Sequence, residues 1–248
     1  MSDSTRQDSL ERLLNPRSIA VVGASRSREK IGNLVLRNLA ATFSGKLYAV
    51  NSSGEDVEGR RAYASVSMID DEVDLMVVCV PRDAVPGVME DAVRKRVKGA
   101  VIITSGFREV DEHGAELEIK VKEIALKAGM RVFGPNVLGL VTPYFNATFA
   151  FTEVPRGKVA LVAQSGGLGM YMLEWAQRSR TGISYFVSLG NQVDVSEAEA
   201  LEFLANDAAT GVIFVYIESV SDGSRFLELV PKATKRKPVA SCLSSEAA

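Results

Sequence analysis

The stretch Lys158–Ala176, KVALVAQSGGLGMYMLEWA, runs small and β-branched apolar residues into a Gln-Ser-Gly-Gly turn and then into a helical pattern. A strand that enters a helix through a turn of small residues is half of a parallel α/β unit. The same order repeats after it, with strands expected at 183–189 and 211–217 and helices at 196–206 and about 223–234. A last strand would follow, cut short by the end of the chain.

Upstream, the alternation is longer. Strands are expected at 18–24, 46–50, 73–80, 99–105 and 130–134, with helices at about 30–42, 84–96 and 112–128. Such near-continuous apolar strands belong to a parallel sheet covered on both faces. Five βα-type units in one run make a doubly wound domain. Between the two runs, LVTPYFNATFAFTEVPRG (140–157) has two prolines and no helical period, and reads as a connection with one short extended piece.

Composition excludes several classes of function. With 29 basic and 31 acidic residues among 248, the formal net charge is −2. A nucleic-acid binder would show a clustered basic excess instead. No apolar run reaches the ~20 residues that span a bilayer. The N-terminus has no apolar core of a signal peptide, so no secretory leader is expected. Two cysteines, Cys79 and Cys242, lack metal-ligand spacing, no metal is expected, and a reducing cytoplasm is the simplest setting. The one histidine, His113, lies in REVDEHGAELE and reads as a solvated surface residue.

In open parallel sheets, ligands bind beyond the carboxyl ends of the strands. Those ends here carry Gly23-Ala24-Ser25, Asn51-Ser52-Ser53, Val80-Pro81-Arg82, Thr104-Ser105-Gly106 and Gly134-Pro135-Asn136. Any one of them could be a plain turn. Together they are small, neutral and rich in backbone donors, as suits a phosphate-bearing nucleotide. The turn VVGASRSREKIG departs from G-x-G-x-x-G, and strand two ends without a carboxylate. That neutral end tolerates a phosphorylated ribose, so coenzyme A, with its ribose 3′-phosphate, fits better than NAD.

Ser165 stands where a strand-turn-helix elbow would display a nucleophile. That chemistry needs a histidine base after the serine, and no histidine follows His113. A hydrolase is thereby excluded. Two readings stay open: backbone donors at a helix N-terminus that cradle an anion, or a tight turn without a ligand. Glu218 directly follows a very apolar strand, as a functional carboxylate or as the partner of a neighbouring cap or cation.

The segments LLNPRSIAVVGAS, VDLMVVCVP, VIITSGFRE, MRVFGPNVLGL, VALVAQSGGLG, VSLGNQVDVSEAEALEFLANDAAT and IFVYIESVSDGSRF run in order over about 13–238. In them the chain resembles the α-subunit region of ADP-forming acyl-CoA synthetases, the acetate–CoA ligases related to succinyl-CoA synthetase. The resemblance implies a Rossmann-like CoA-binding domain over 1–142, a linker over 143–157, and a smaller flavodoxin-like ligase domain over 158–248. It implies the reaction acyl-CoA + ADP + phosphate ⇌ acid + CoA + ATP, through an acyl phosphate and a phosphohistidine. An ATP-grasp subunit or domain would hold ADP or ATP with Mg, within an oligomer.

Carried over by position, the resemblance puts Gly23, Ala24, Ser25, Asn51, Val80, Pro81 and Ser105 on coenzyme A. Asn136 would sit at the thioester end. Ser165 and Gly166 would cradle the phosphoryl group, and Glu218 would orient the phosphohistidine. Three departures stand out. Asn51-Ser52-Ser53 replaces a common Pro-Lys continuation, Val137 replaces a frequent cysteine, and ASCLSSEAA stands where relatives proceed to a Ser-His-Thr segment. The chain alone is therefore expected to be inactive. The alternatives are a non-catalytic CoA-binding regulatory module and, more remotely, an NAD(P)-binding oxidoreductase.

Overall fold

Apolar segments buried on both faces build the centre of each sheet. The computed structural model describes residues 3–150, 153–220 and 222–244, with side chains from residue 7 onward. Positions 1–2, 151–152, 221 and 245–248 lie outside the described residues; they include part of the expected linker and the extreme ends of both expected domains.

The chain opens with α1 (Asp3–Leu14), β1 (Ser18–Val22), α2 (Ile31–Thr42), β2 (Lys46–Val50) and β3 (Ala62–Tyr63). It continues through β4 (Leu75–Val78), α3 (Val85–Lys95), β5 (Gly99–Ile102), α4 (Glu112–Ala128) and β6 (Arg131–Phe133). These six strands form one all-parallel sheet in the order β3-β2-β1-β4-β5-β6. Every residue of β1, β4 and β5 is buried, which is why they read as continuous apolar runs.

A second sheet takes β7 (Leu140–Val141), β8 (Arg156–Ala163), β9 (Ile183–Ser188), β10 (Val212–Ile217) and β11 (Val239–Leu243), in the order β11-β10-β8-β9-β7. Its helices are α5 (Gly166–Ser179), α6 (Glu197–Asn206) and α7 (Gly223–Arg236). Only β7 runs antiparallel, pairing Leu140 with Val187 and Val141 with Phe186 on β9. Leu140–Val141, within the stretch expected as a connection with one short extended piece, joins the second sheet. A two-residue strand shows no period; what makes it is burial, since both side chains are fully covered.

The last strand, expected to be cut short, is β11, a five-residue strand paired in parallel with β10 from Ile213↔Val239 to Ile217↔Leu243. Two elements have no counterpart in the sequence reading. The short β3 adds to the edge beside β2. Helix α1 docks through Leu10, Leu13 and Leu14, all within 2% exposure, into a core shared with Val137, Val187 and Leu201.

That shared core is reinforced by ions. Arg131 on β6 is buried and donates from Nε to Asp194 at 2.8 Å and from Nη2 to Glu199 at 3.1 Å. An arginine so enclosed requires paired carboxylates, because a bare buried charge costs several kcal/mol. Both carboxylates come from the second unit, so the ion cluster holds the two sheets together. Among the described residues no helix is long and apolar enough to cross a membrane.

Candidate functional site

Each sheet has one point where the strand order reverses. In the first it lies between β1 and β4, and in the second between β8 and β10. The strand ends at such points diverge and leave a crevice. The first crevice opens into a cavity of about 710 Å³, which the start of α5, after β8, also lines. From the first unit Gly23, Val80, Pro81, Ser105 and Asn136 line it, and from the second Gly166 and Gly167.

The turn after β1 is shaped by two glycines in contact. Gly23 has φ +92°, and a Cβ added there would meet the Cys79 carbonyl oxygen at 2.6 Å. A Cβ on Gly32 would lie 2.0 Å from the Gly23 oxygen. Helix α2 can therefore begin against the end of β1 only without side chains at both positions. Its N-cap, Lys30, has no capping side-chain bond, and Lys30, Ile31 and Gly32 face the cavity. Uncapped N–H groups at a helix start, beside a lysine, suit an anion.

Opposite stands the start of α5. Ser165 is its N-cap, and the Leu168 N–H donates to Ser165 Oγ at 3.3 Å. The Gly169 N–H donates to the Ser165 carbonyl at 3.0 Å. With those bonds made, the N–H groups of Gly166 and Gly167 head the helix at the cavity wall. A Cβ on either would find its nearest neighbour at 3.8 or 3.9 Å, so neither glycine is required by packing. Their smallness leaves the backbone open to a ligand.

Not every predicted residue meets the cavity. Ala24 is buried behind it, with its N–H donating to the Val50 carbonyl at 3.1 Å. Ser25 Oγ accepts the Ser27 N–H, and Asn51 donates to the Glu55 carbonyl and accepts the Ser53 hydroxyl. These side chains are engaged in local turns. Glu218 is exposed at the end of β10 and does not line the cavity; its N–H donates to Gln164 Oε1 at 2.6 Å.

The sequence reading also missed wall residues. Cys79 directly follows β4, one residue before Val80, and desolvation pushes its thiol up to about 12, so it stays protonated at neutral pH. Arg82, which the sequence places at the strand end, donates to the Gly106 carbonyl at 2.7 Å and to Asp111 at 2.9 Å. It thereby ties the β4 end to the β5 end at the rim. Val137, Leu138 and Phe149 add an apolar side. Phe149 sits in an irregular segment, where no period could announce it.

A second depression, of about 620 Å³, lies at the opposite, N-terminal ends of the first sheet. Its charges already pair with one another, Lys46 with Asp71 at 2.8 Å and Lys98 with Asp74 at 3.8 Å. It lies at the end of the sheet where α/β folds do not bind ligands. Among the described residues no group of three or more His, Cys, Asp or Glu side chains could hold a metal. His113 is exposed at the start of α4 and contacts Asp83 at 2.7 Å.

Residues 17–143 match the family model described as a CoA binding domain, and residues 156–246 that of a succinyl-CoA ligase-like flavodoxin domain. The chain is 44% identical over 238 residues to acetate–CoA ligase [ADP-forming] I subunit alpha of Pyrococcus furiosus, covering 93% of this chain and 52% of that subunit. It is 41% identical to acetate–CoA ligase [ADP-forming] I of Archaeoglobus fulgidus, covering 93% of this chain and 34% of that protein. It thus spans about half of the first relative's length and about a third of the second's. Among solved structures, a dinucleotide-forming acetyl-coenzyme A synthetase 1 of Ca. Korarchaeum cryptofilum, in complex with phosphate and ADP, superposes with a TM-score of 0.91 at 41% identity. That likeness covers 94% of this chain and 51% of the other.

Proposed function

This chain belongs to the family of α-type regions of ADP-forming acyl-CoA synthetases, a CoA-binding domain joined to a succinyl-CoA ligase-like domain, and we propose that it is the CoA-binding, phosphate-cradling part of such a ligase. One observation carries the proposal. The turns that would hold a CoA ligand and the N-terminus of α5 line the same cavity. Acyl transfer from CoA to phosphate needs the thioester and the phosphoryl group within reach of each other, and a shared cavity supplies that proximity.

In this reading Gly23, Val80, Pro81 and Ser105 grip the CoA chain, with Lys30 and Arg82 offsetting its phosphates. Ser25 and Asn51 hold the turns beside the cavity in shape through their local bonds, and Ala24 packs behind them. Asn136 faces the thioester. The Gly166 N–H, on the turn set by Ser165, holds the phosphoryl oxygens and stabilises their charge during transfer. Glu218 orients the phosphohistidine from the end of β10. That histidine, and an ATP-grasp partner carrying ADP or ATP with Mg, would come from outside these residues. The working form is an oligomer in the cytoplasm.

Isothermal titration tests the ligand. CoA and acetyl-CoA are expected to bind, and to bind more tightly than NADH; the reverse order defeats the proposal. Turnover is tested by adding an ATP-grasp partner, ADP, phosphate and acetyl-CoA, with no ATP expected from residues 1–248 alone. A second reading, a regulatory CoA-binding module, draws on the position of the only histidine, exposed on α4 and engaged with Asp83. It predicts CoA binding and no ATP even with a ligase partner whose own histidine segment is intact.

A further inference from the structure

The end of β9 sends a short turn, Leu189-Gly190-Asn191, into the first unit. Gly190 has φ +56°, and a Cβ there would lie 2.2 Å from the Pro135 oxygen and 2.6 Å from the Asn136 oxygen. The turn thus presses directly on the backbone that carries Asn136. Asn191 is 7% exposed, and every polar group it has is engaged. Its N–H donates to the Pro135 carbonyl at 2.9 Å, and its own carbonyl accepts Arg108 Nη2 at 2.7 Å. Its carboxamide nitrogen donates to Glu109 at 2.6 Å and to Glu118 at 2.7 Å. Its carboxamide oxygen accepts Asn136 Nδ2 at 3.4 Å.

Glu109 carries the connection into the other cavity turn. Its Oε1 accepts the N–H groups of Gly106 at 2.6 Å and Phe107 at 3.1 Å. Ser105 precedes that pair and Asn136 is bonded from the other side, and both line the cavity. One carboxamide therefore spans two cavity turns of the first unit from a position in the second. Donors to two carboxylates and an acceptor for an amide are what this node requires; the aspartate and aliphatic side chains of the same size each lack at least one of these.

We infer that Asn191 is the positioning residue of the site: it sets the 105–107 and 134–137 turns against each other and so fixes the thioester end of the CoA cavity from the second unit. As a statement about coenzyme A this rests on the proposed function. As a statement about the turns it does not.

The test compares Asn191→Ala and the size-matched Asn191→Asp with Leu39→Ala, a core truncation at the far end of α2. Amide exchange is read at Gly106, Phe107 and Asn136, and CoA affinity by titration. Loss of hydrogen bonds to carboxylates is expected to speed exchange at these amides by on the order of 10-fold or more in both Asn191 variants, relative to Leu39→Ala. CoA affinity should fall by a similar factor. Exchange and affinity no different from Leu39→Ala at equal loss of melting temperature would make Asn191 merely structural and overturn the inference. Wild-type-like behaviour of Asn191→Asp would overturn it too. Failure of the unmodified chain to bind CoA would refute the proposed ligand, and exchange at the turns would still decide the role of Asn191.

Discussion

Gln164 holds Glu218 in place by its backbone: Gln164 Oε1 accepts the Glu218 N–H at 2.6 Å and the Ser219 N–H at 2.9 Å. Its Nε2 donates to the Ser219 carbonyl at 2.7 Å. A single buried carboxamide thus joins the ends of β8 and β10 where the second sheet changes direction. Ser165, which caps α5, is the next residue.

Gln164→Leu keeps the volume and removes all three bonds. Two N–H groups and a carbonyl would then be left without their partner, at ~1–3 kcal/mol for each group that water cannot reach. A stability loss of about 2 kcal/mol is expected in chemical denaturation. Phosphate affinity, read by titration, should fall more than CoA affinity, because only the β8 and β10 ends are disturbed. Equal loss of both would disprove that separation.

Gly32→Ala places a methyl against the Gly23 oxygen, where a Cβ would sit at 2.0 Å. No flexible side chain can yield there, since the obstacle is backbone. Helix α2 must shift from the end of β1, with a destabilisation on the order of 2–3 kcal/mol, in the range of overpacked cores. Calorimetric unfolding should show the lower melting temperature, and titration the loss of CoA affinity.

Gly166→Ala is expected to act in the opposite sense on the two properties. No packed atom obstructs the added Cβ, and alanine is favoured over glycine in a helix by up to ~1 kcal/mol, less at its first turn. Stability should be unchanged or slightly raised, while phosphate or acyl-phosphate affinity falls because the methyl enters the cavity. A variant that keeps full phosphate affinity would place the anion elsewhere.

Glu109 supplies a pH dependence. Burial raises its pKa, and the donors from Asn191, Gly106 and Phe107 outweigh that, so its carboxyl lies below the usual range. A depressed folded-state pKa means its contribution is fully present above the unfolded value of ~4.3 and is lost as pH falls through the folded value. Acidification below about pH 4 should loosen the 105–107 turn, seen as faster exchange at Gly106 and Phe107. Glu109→Gln should show the loosened turn already at neutral pH and a flatter acid limb.

Much of this was legible in the sequence. The parallel strands announce themselves because burial on both faces admits only apolar residues, as in SIAVV and LMVV. The glycine turn at Gly23 is visible because close backbone approach excludes side chains, and that at Gly166 because small residues separate an apolar strand from a helical pattern. Less visible were β3, β7 and α1: two-residue strands have no period, and the leucines of α1 are spaced within a polar segment. Ala24, Ser25 and Asn51 follow strand ends as expected, yet their polar groups close local turns, and spacing cannot tell a donor used within a loop from one offered to a ligand.

The sequence by itself determined two α/β units and the small, neutral turns at their strand ends, since each follows from residue type and local period. Only the tertiary structure decided that the start of α5 lines the same cavity as the strand ends of the first sheet, that Cys79 and Phe149 belong to its wall, and that Asn191 ties Asn136 to Glu109. Those relations join residues far apart in the chain, and what brings them together is the shared core and the buried Arg131 pairs. Neither leaves a periodic trace.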